Sequence, residues 1–274
     1  MEKPIWKKCF QSDNKNTLSK SLMKNKIFYI LPSYNEELNI IPLLKSFNNF
    51  YKNKKNLVEI VFIDDGSSDN SLILLSKIKK KISKKIKIII LKHKVNRGLG
   101  IALKTGFKYT LKKGNDRDVI VTMDTDNSHT VQLSYLMANK VINENKDVVI
   151  ASRYKKNSKI KGLQSSRKFL SNVAAILFKS FYPIENVSDY TSGFRAFKVK
   201  KIKKIIINNK SFFSETGFSA SVDILLKLYP FKKILNFYEL PINLRYDLKK
   251  GESKMKIFRT IYLNLRILIL RKLI

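Results

Sequence analysis

The chain has 274 residues, of which 44% are hydrophobic and 11% aromatic, so its composition excludes a disordered or collagen-like protein and predicts one large or two small globular domains. A single cysteine excludes an intrachain disulfide and a cysteine-based zinc site, and two histidines exclude a multi-histidine metal site. The formal net charge of +34 favours anionic partners. Because the lysines are dispersed rather than grouped with aromatic residues, no nucleic-acid partner is expected, and a basic nucleic-acid-binding protein is a remote alternative.

Apolar segments alternate with segments of helical length after residue 25. The predicted strands, in chain order, are 27–31, 57–63, 86–91, 119–123 and 148–151. The predicted helices between them are 36–51, 70–82, 98–111 and 131–143. Continuous apolar strands separated by amphipathic helices predict an α/β fold with a mostly parallel central sheet flanked by helices on both faces.

Three regions are predicted along the chain. Residues 1–25 are polar and lack periodicity, so we expect a poorly ordered N-terminal extension, whereas residues 26–255 carry the strand and helix pattern of one domain. Residues 256–274 predict a basic amphipathic helix that either lies on an anionic membrane surface or docks on the protein's own core. Arginines within this helix oppose a transmembrane span.

The predicted strands end in polar segments, and ligands of parallel sheets bind beyond the carboxyl ends of the strands. Asp64 and Asp65 directly follow the second strand, where adjacent carboxylates repel each other unless one binds a ligand or faces a cation. Helix capping explains the serines after them but not the aspartates. Residues 96–100 (NRGLG) lack the Walker pattern, and their glycines bind a ligand or permit close packing.

Asp124 and Asp126 form a D-x-D pair after the fourth predicted strand. Two such carboxylates can converge on a hard divalent cation, and the alternative is a strand-end turn with two solvated aspartates. Arg153 and Arg167 indicate an anion-binding site with phosphate as the expected ligand. The alternative is that both are surface charges. Asp223 lies in an apolar helical stretch, where a solvated helix face is the simpler interpretation.

Together these segments carry a recognisable pattern. The chain resembles the dolichyl-phosphate mannosyltransferase-like branch of glycosyltransferase family 2 from about residue 26 to residue 255. The motifs that carry the resemblance, in order, are 32–37 (PSYNEE), 64–69 (DDGSSD), 96–100 (NRGLG), 124–126 (DTD), 128–129 (SH), 152–154 (SRY), 191–195 (TSGFR) and 251–255 (GESKM).

The resemblance implies a GT-A fold and an inverting transfer from a nucleotide sugar, GDP-mannose or UDP-glucose, to a polyprenyl phosphate. It implies Mg²⁺ or Mn²⁺ as cofactor and a peripheral position at the cytoplasmic, inner face of an anionic membrane. The residues that it assigns to the nucleotide sugar are Pro32, Tyr34, Glu36, Ile63, Asp65, Asp124, Thr125 and Lys254. Asp124 and Asp126 would hold the metal; Asp126, Arg153 and Arg167 would be catalytic; Arg153, Arg167, Ser171 and Arg245 would bind the acceptor phosphate.

One alternative keeps the same fold but uses a soluble or cell-surface glycan as acceptor. A neutral acceptor would need a general base, for which Asp223 is the candidate. The chain also departs from the branch at two positions: Leu248, Lys249 and Lys250 stand where an arginine often precedes the G-E-S-K segment, and Ser128 stands where some relatives have glutamine.

Overall fold

The computed structural model describes residues 25–82, 85–162, 165–209, 211–250 and 257–270, and within these it describes no side chains for 165–170, 257–259 and 270. Nearly all of the predicted N-terminal extension, the G-E-S-K-M segment and the last four residues lie outside the described residues. The described part contains a large mixed sheet, a small two-stranded sheet and helices on both faces of the large one.

The large sheet is formed by seven strands: β1 (Lys26–Ser33), β2 (Leu57–Asp64), β3 (Ile86–Lys92), β4 (Val119–Thr122), β5 (Val148–Ser152), β7 (Arg195–Lys198) and β8 (Phe237–Pro241). Their order across the sheet is β3-β2-β1-β4-β7-β5-β8. All neighbours are parallel except β7, which is antiparallel to β4 and β5. A separate parallel pair joins β6 (Lys159–Lys161) and β9 (Asn243–Arg245).

Helices cover both faces of the sheet, which explains why the middle of the central strand β1 is apolar at consecutive positions. In β1, Phe28 and Ile30 face one core, while Ile27, Tyr29 and Leu31 face the other, and all are fully buried. The second core contains residues of α1 (Glu37–Tyr51), α2 (Ser71–Lys79) and α4 (Val131–Asn143). The first contains residues of α3 (Leu99–Lys113), α5 (Ser165–Phe181), α6 (Val199–Ile207), α7 (Ala220–Leu228) and α8 (Ile257–Leu270).

The predicted α/β class with a mostly parallel sheet is confirmed, and each predicted strand and helix up to residue 151 has a counterpart. The antiparallel strand β7 was not predicted, because four residues carry too little periodicity. The direction of β7 matters for the site. Because β7 runs antiparallel to β4 and β5, it begins at the edge of the sheet where those two strands end. Residues 191–194, which precede β7, therefore lie at the carboxyl ends of β4 and β5, where Thr122 Oγ1 donates to the Gly193 carbonyl at 2.7 Å.

The C-terminal helix α8 docks on the protein's own core. Ile267 and Leu268 are buried, and the Tyr182 hydroxyl donates to the Leu268 carbonyl at 3.1 Å. Arg266 also pairs with Glu215 at 3.1 Å. Another side of the same helix leaves apolar side chains exposed. Among the helices that the structure describes, none has the length and apolar character needed to cross a bilayer.

Candidate active site

A cavity of about 930 Å³ opens at the carboxyl ends of the sheet strands. Its walls differ: one part is lined by the polar segments that follow the strands, and the other by apolar side chains of α5, α7 and α8 and the loop before α7. We call these parts the polar arm and the apolar arm. The predicted site residues that line the cavity are Pro32, Tyr34, Glu36, Asp65, Asp124, Thr125, Asp126, Arg153 and Ser171.

Other predicted site residues lie elsewhere. The Ile63 side chain is fully buried in the core beneath α3, so it does not line the cavity. Arg245 is also absent from the cavity wall, and its guanidinium forms two hydrogen bonds of 2.8 Å with Asp247. The side chains of Arg167 and Lys254 lie outside the described residues.

Asp65 organises the start of the polar arm. Its Oδ1 lies 2.6 Å from His93 Nδ1, and its carboxylate accepts hydrogen bonds from the backbone amides of Arg97 and Gly98. The other ring nitrogen of His93 lies 2.9 Å from Thr105 Oγ1. Asp65 thus connects β2 to the turn that begins α3, and His93 fixes the orientation of its carboxylate.

The turn before α3 depends on close backbone packing. Gly98 has φ +89°, and a Cβ there would lie 2.5 Å from the Thr216 carbonyl oxygen. A Cβ on Gly100 would lie 1.8 Å from the Glu215 carbonyl oxygen. Close packing therefore accounts for both glycines, while Asn96 and Gly98 also line the cavity.

The D-x-D segment forms a tight turn at the floor of the cavity. Asn127 adopts φ +64°, a conformation that asparagine tolerates, and Ser128 donates from both its amide (3.0 Å) and its hydroxyl (2.6 Å) to Asp126 Oδ1. Thr125 Oγ1 donates to the Pro32 carbonyl at 2.7 Å. His129 accepts from the Asp124 amide at 3.1 Å. These bonds fix the backbone of Asp124 and the Asp126 carboxylate.

A cation already faces this pair of aspartates. Lys249 Nζ lies 2.9 Å from Asp126 Oδ2. Burial alone would raise the pKa of Asp126, but Lys249 holds it below its usual value. Lys249 lines the cavity but was not predicted as a site residue.

The oxygen donors at this position fit a hard divalent cation. Asp124 and Asp126 both face the cavity, and carboxylate oxygens are the ligands that Mg²⁺ and Mn²⁺ prefer. Among the described residues, no cluster of three or more His, Cys, Asp or Glu side chains is arranged to hold a metal. Diphosphate and water oxygens are further ligands that such a cation accepts.

Arg153 lies beside the carboxyl end of β5 and is held by a residue that was not predicted. Its guanidinium binds Asp189 through hydrogen bonds of 2.8 and 2.6 Å and also donates to Thr191. Burial alone would raise the pKa of Asp189, but Arg153 holds it below its usual value. The ion pair fixes the guanidinium in one orientation at the cavity wall. Asp189 directly precedes residues 190–195 (YTSGFR). Its position beside this motif was the sequence feature that could have identified it as a site residue.

Beyond Arg153, the cavity wall becomes apolar. Ser171 lines the cavity, and its Oγ lies 2.8 Å from the Tyr154 hydroxyl. The apolar arm follows, lined by Val173, Ala174, Leu177, Phe178, Phe218, Val222, Ile261, Leu265 and Leu268. Val173, Phe218 and Leu265 are 39%, 40% and 45% exposed, so the arm opens to the protein surface through apolar side chains.

Asp223 does not line the cavity. Its carboxylate lies 3.0 Å from Lys227 Nζ and accepts a hydrogen bond from Ser214 at 3.0 Å, and both partners of the ion pair are buried. Each charge of this pair thus has a partner inside the protein around α7. Asp223 is the candidate general base of the alternative with a soluble acceptor. From this buried position it has no access to a substrate in the cavity.

The chain matches a glycosyltransferase family model, and its relatives include proteins that are named as sugar transferases. The family model described as glycosyl transferase family 2 matches residues 29–206. The chain is 28% identical over 253 residues to a UDP-N-acetylglucosamine–dolichyl-phosphate N-acetylglucosaminyltransferase of Methanococcus voltae, covering 88% of this chain and 95% of that protein. It is 28% identical over 242 residues to a dolichol-phosphate mannosyltransferase of Pyrococcus furiosus, covering 88% of this chain and 62% of that protein.

Solved structures support the same fold. The glucosyl-3-phosphoglycerate synthase of Mycobacterium tuberculosis, solved with Mn²⁺, UDP and glucosyl-3-phosphoglycerate, superposes with a TM-score of 0.65 at 16% identity, covering 93% of this chain and 86% of that one. The superposition, the mostly parallel sheet and the cavity at the carboxyl ends of its strands agree in describing a GT-A fold. The chain therefore belongs to glycosyl transferase family 2 and is a glycosyltransferase.

Proposed function

We propose that this enzyme transfers one sugar, mannose or glucose, from GDP-mannose or UDP-glucose to a polyprenyl phosphate, with inversion, at the cytoplasmic face of a membrane. The observation that carries the proposal is the continuity of the polar and apolar arms in one cavity, with Arg153 at the polar wall. Two relatives named for dolichyl-phosphate acceptors support the acceptor class. Because their names specify different sugars, the donor must be tested directly.

The polar arm suits the donor. Pro32, Tyr34, Glu36 and Asp65 would contact the nucleoside, and Asp124 and Asp126 would hold Mg²⁺ or Mn²⁺ against the diphosphate. When bound, the divalent cation neutralises the charge that develops on the departing diphosphate. Ser128 keeps Asp126 Oδ1 in a fixed position, so the carboxylate needs little reorganisation when the donor arrives.

The junction of the two arms suits the acceptor phosphate. Arg153, held by Asp189, would bind the phosphate oxygens together with Ser171, which also lines the cavity. The resemblance adds Arg167, whose side chain lies outside the described residues. A phosphate monoester is anionic near neutral pH, so the protein must align it rather than deprotonate it. Attack from the face opposite the departing diphosphate inverts the anomeric centre, and the proposed reaction requires no general base.

The apolar arm suits the prenyl chain, and the surface beside it suits a membrane. On α8, Tyr262, Leu265 and Ile269 are exposed at helical spacing, and on α5, Val173 and Ile176 are exposed. Exposed apolar stripes on a protein of net charge +34 favour a peripheral position on an anionic membrane surface. The arm would then receive the acceptor directly from the bilayer.

The proposal is tested by transfer of labelled sugar into an organic-extractable product. GDP-mannose, UDP-glucose and UDP-N-acetylglucosamine would each be offered with a polyprenyl phosphate and Mg²⁺ or Mn²⁺. We expect metal-dependent label in the organic phase with one donor and none with the Asp126→Asn variant. Donor hydrolysis without lipid labelling would contradict the lipid acceptor and leave the donor site intact.

A further inference from the structure

Lys249 holds the position at Asp126 where the proposed metal would bind. Its ammonium lies 2.9 Å from Oδ2, and Oδ1 is occupied by Ser128. The Lys249 side chain is 19% exposed, whereas the adjacent Lys250 is an exposed residue. Two neighbouring lysines thus have different environments, one inside the cavity wall and one at the surface.

The placement of Lys249 is built by backbone contacts on both sides of it. Asn39, a buried polar residue of α1, donates to the Lys250 carbonyl at 3.0 Å and accepts from the Lys250 amide at 3.3 Å. The Arg245 amide donates to the Ser128 carbonyl at 3.0 Å. These contacts fasten residues 245–250 to α1 and to the D-x-D turn, so the ammonium is directed at Asp126 by fixed main chain.

The electrostatic surroundings favour a cation at this position. Asp126, Asp124 and Glu36 all interact attractively with the Lys249 ammonium. A divalent cation bound to Asp126 would use the same carboxylate oxygen and would repel an ammonium a few ångströms away. Lys249 and the metal therefore cannot both occupy Asp126 Oδ2 as it stands. The anionic diphosphate of the donor is the group that would take the ammonium once it leaves the carboxylate.

We propose that Lys249 is an internal cation that competes with the divalent metal for Asp126 and moves to the donor diphosphate when metal and nucleotide bind together. The inference rests on the metal site of the proposed function. In the protein without nucleotide, Lys249 weakens metal binding. In the presence of a nucleoside diphosphate, the ammonium has a new anionic partner and the metal has further oxygen ligands. Metal binding is thereby coupled to the presence of the donor.

The test is Mn²⁺ binding to the purified full-length protein, measured from the electron paramagnetic resonance signal of unbound Mn²⁺, with and without UDP or GDP. Removing the competing cation in Lys249→Met should tighten Mn²⁺ binding without nucleotide by about tenfold. Lys250→Met makes the same charge change one residue away and should leave Mn²⁺ affinity within about twofold of the wild type, because an exposed charge is screened. Lys249→Arg keeps the competing charge and should resemble the wild type.

The measurements with nucleotide test whether Lys249 moves to the donor diphosphate. With UDP or GDP present, the advantage of Lys249→Met should shrink, because the variant lacks an ammonium to bind the diphosphate. Equal Mn²⁺ affinity of Lys249→Met and wild type without nucleotide, together with lost binding in Asp126→Asn, would overturn the inference and leave the metal site standing. Unchanged binding in Asp126→Asn would overturn both.

Discussion

The polar and apolar arms of the cavity are built in different ways. The polar arm gathers short segments that follow strands β1, β2, β4 and β5, and its side chains are fixed by hydrogen bonds such as Ser128 to Asp126 and His93 to Asp65. The apolar arm is lined mainly by helices α5, α7 and α8 and has exposed side chains at its rim. A rigid arm suits a small charged donor, and an open apolar arm suits a long acceptor.

This comparison predicts that variants of the two arms change different kinetic parameters. Changes in the polar arm should affect the metal and the nucleotide sugar, and changes in the apolar arm should affect the lipid. Changes at the junction should affect stability as well, because the charges there are buried.

The largest effect is expected for Asp126→Asn. Loss of a metal-ligating charge should remove several kcal/mol of transition-state stabilisation, so the transfer rate should fall by roughly a thousandfold. Circular dichroism and thermal unfolding should show an intact fold. Wild-type turnover in this variant would contradict the assignment of Asp126 as a metal ligand.

Asp189→Asn should lower the free energy of unfolding by about 3–5 kcal/mol, because it leaves the Arg153 guanidinium without its buried partner. Urea denaturation would measure this loss. Asp116→Asn is the matched control, since Asp116 is 63% exposed and its ion pair with Lys200, at 3.8 Å, lies at the surface. Its free energy of unfolding should stay within about 0.5 kcal/mol of the wild-type value. Similar losses in both variants would refute a special role for the buried pair.

The same pair predicts a pH dependence of stability. The pKa of Asp189 in the folded protein lies below its usual value of 3.8. The stabilisation from this carboxylate is therefore fully present above the unfolded pKa and is lost as the pH falls through the folded pKa. The stability difference between wild type and Asp189→Asn should shrink in acid. A difference that stays constant from pH 6 down to about pH 2 would contradict the assignment.

Leu265→Asn tests the apolar arm. Leu265 is about half-buried at the mouth, so replacing it should cost ~1 kcal/mol of lipid contact and raise the KM for polyprenyl phosphate roughly fivefold. The KM for nucleotide sugar should not change. Ile234→Asn, at an exposed position outside the cavity, is the control. An equal effect of both variants would indicate general membrane binding instead of an acceptor channel.

The smallest effect is expected for His93→Gln. Weakening one hydrogen bond to Asp65 should raise the KM for nucleotide sugar about threefold through looser positioning of the carboxylate. The KM for polyprenyl phosphate should stay at the wild-type value. A shift in the lipid KM instead would place His93 and Asp65 on the acceptor side.

The two arms also differ in how far sequence could predict them. Asp65, Asp124 and Asp126 were predicted because strand ends of a parallel sheet meet at one edge, so local pattern implies proximity. No such rule connects Val173 of α5, Phe218 of the loop before α7 and Leu265 of α8, which line one cavity only once the tertiary structure has formed. Asp189 and Lys249 required knowledge of partners far away in the chain. The resemblance assigned Ile63 to the nucleoside, but strand alternation turns its side chain into the core.

The most direct measurement compares acceptors that share a phosphate and differ in apolar length. Transfer would be measured from one labelled donor to a short alkyl phosphate, a single-prenyl phosphate and longer polyprenyl phosphates. We predict that kcat/KM rises with chain length until the apolar arm is filled, and that Leu265→Asn flattens this rise. Equal kcat/KM for the shortest and longest phosphates would contradict the claim that both arms form one active site.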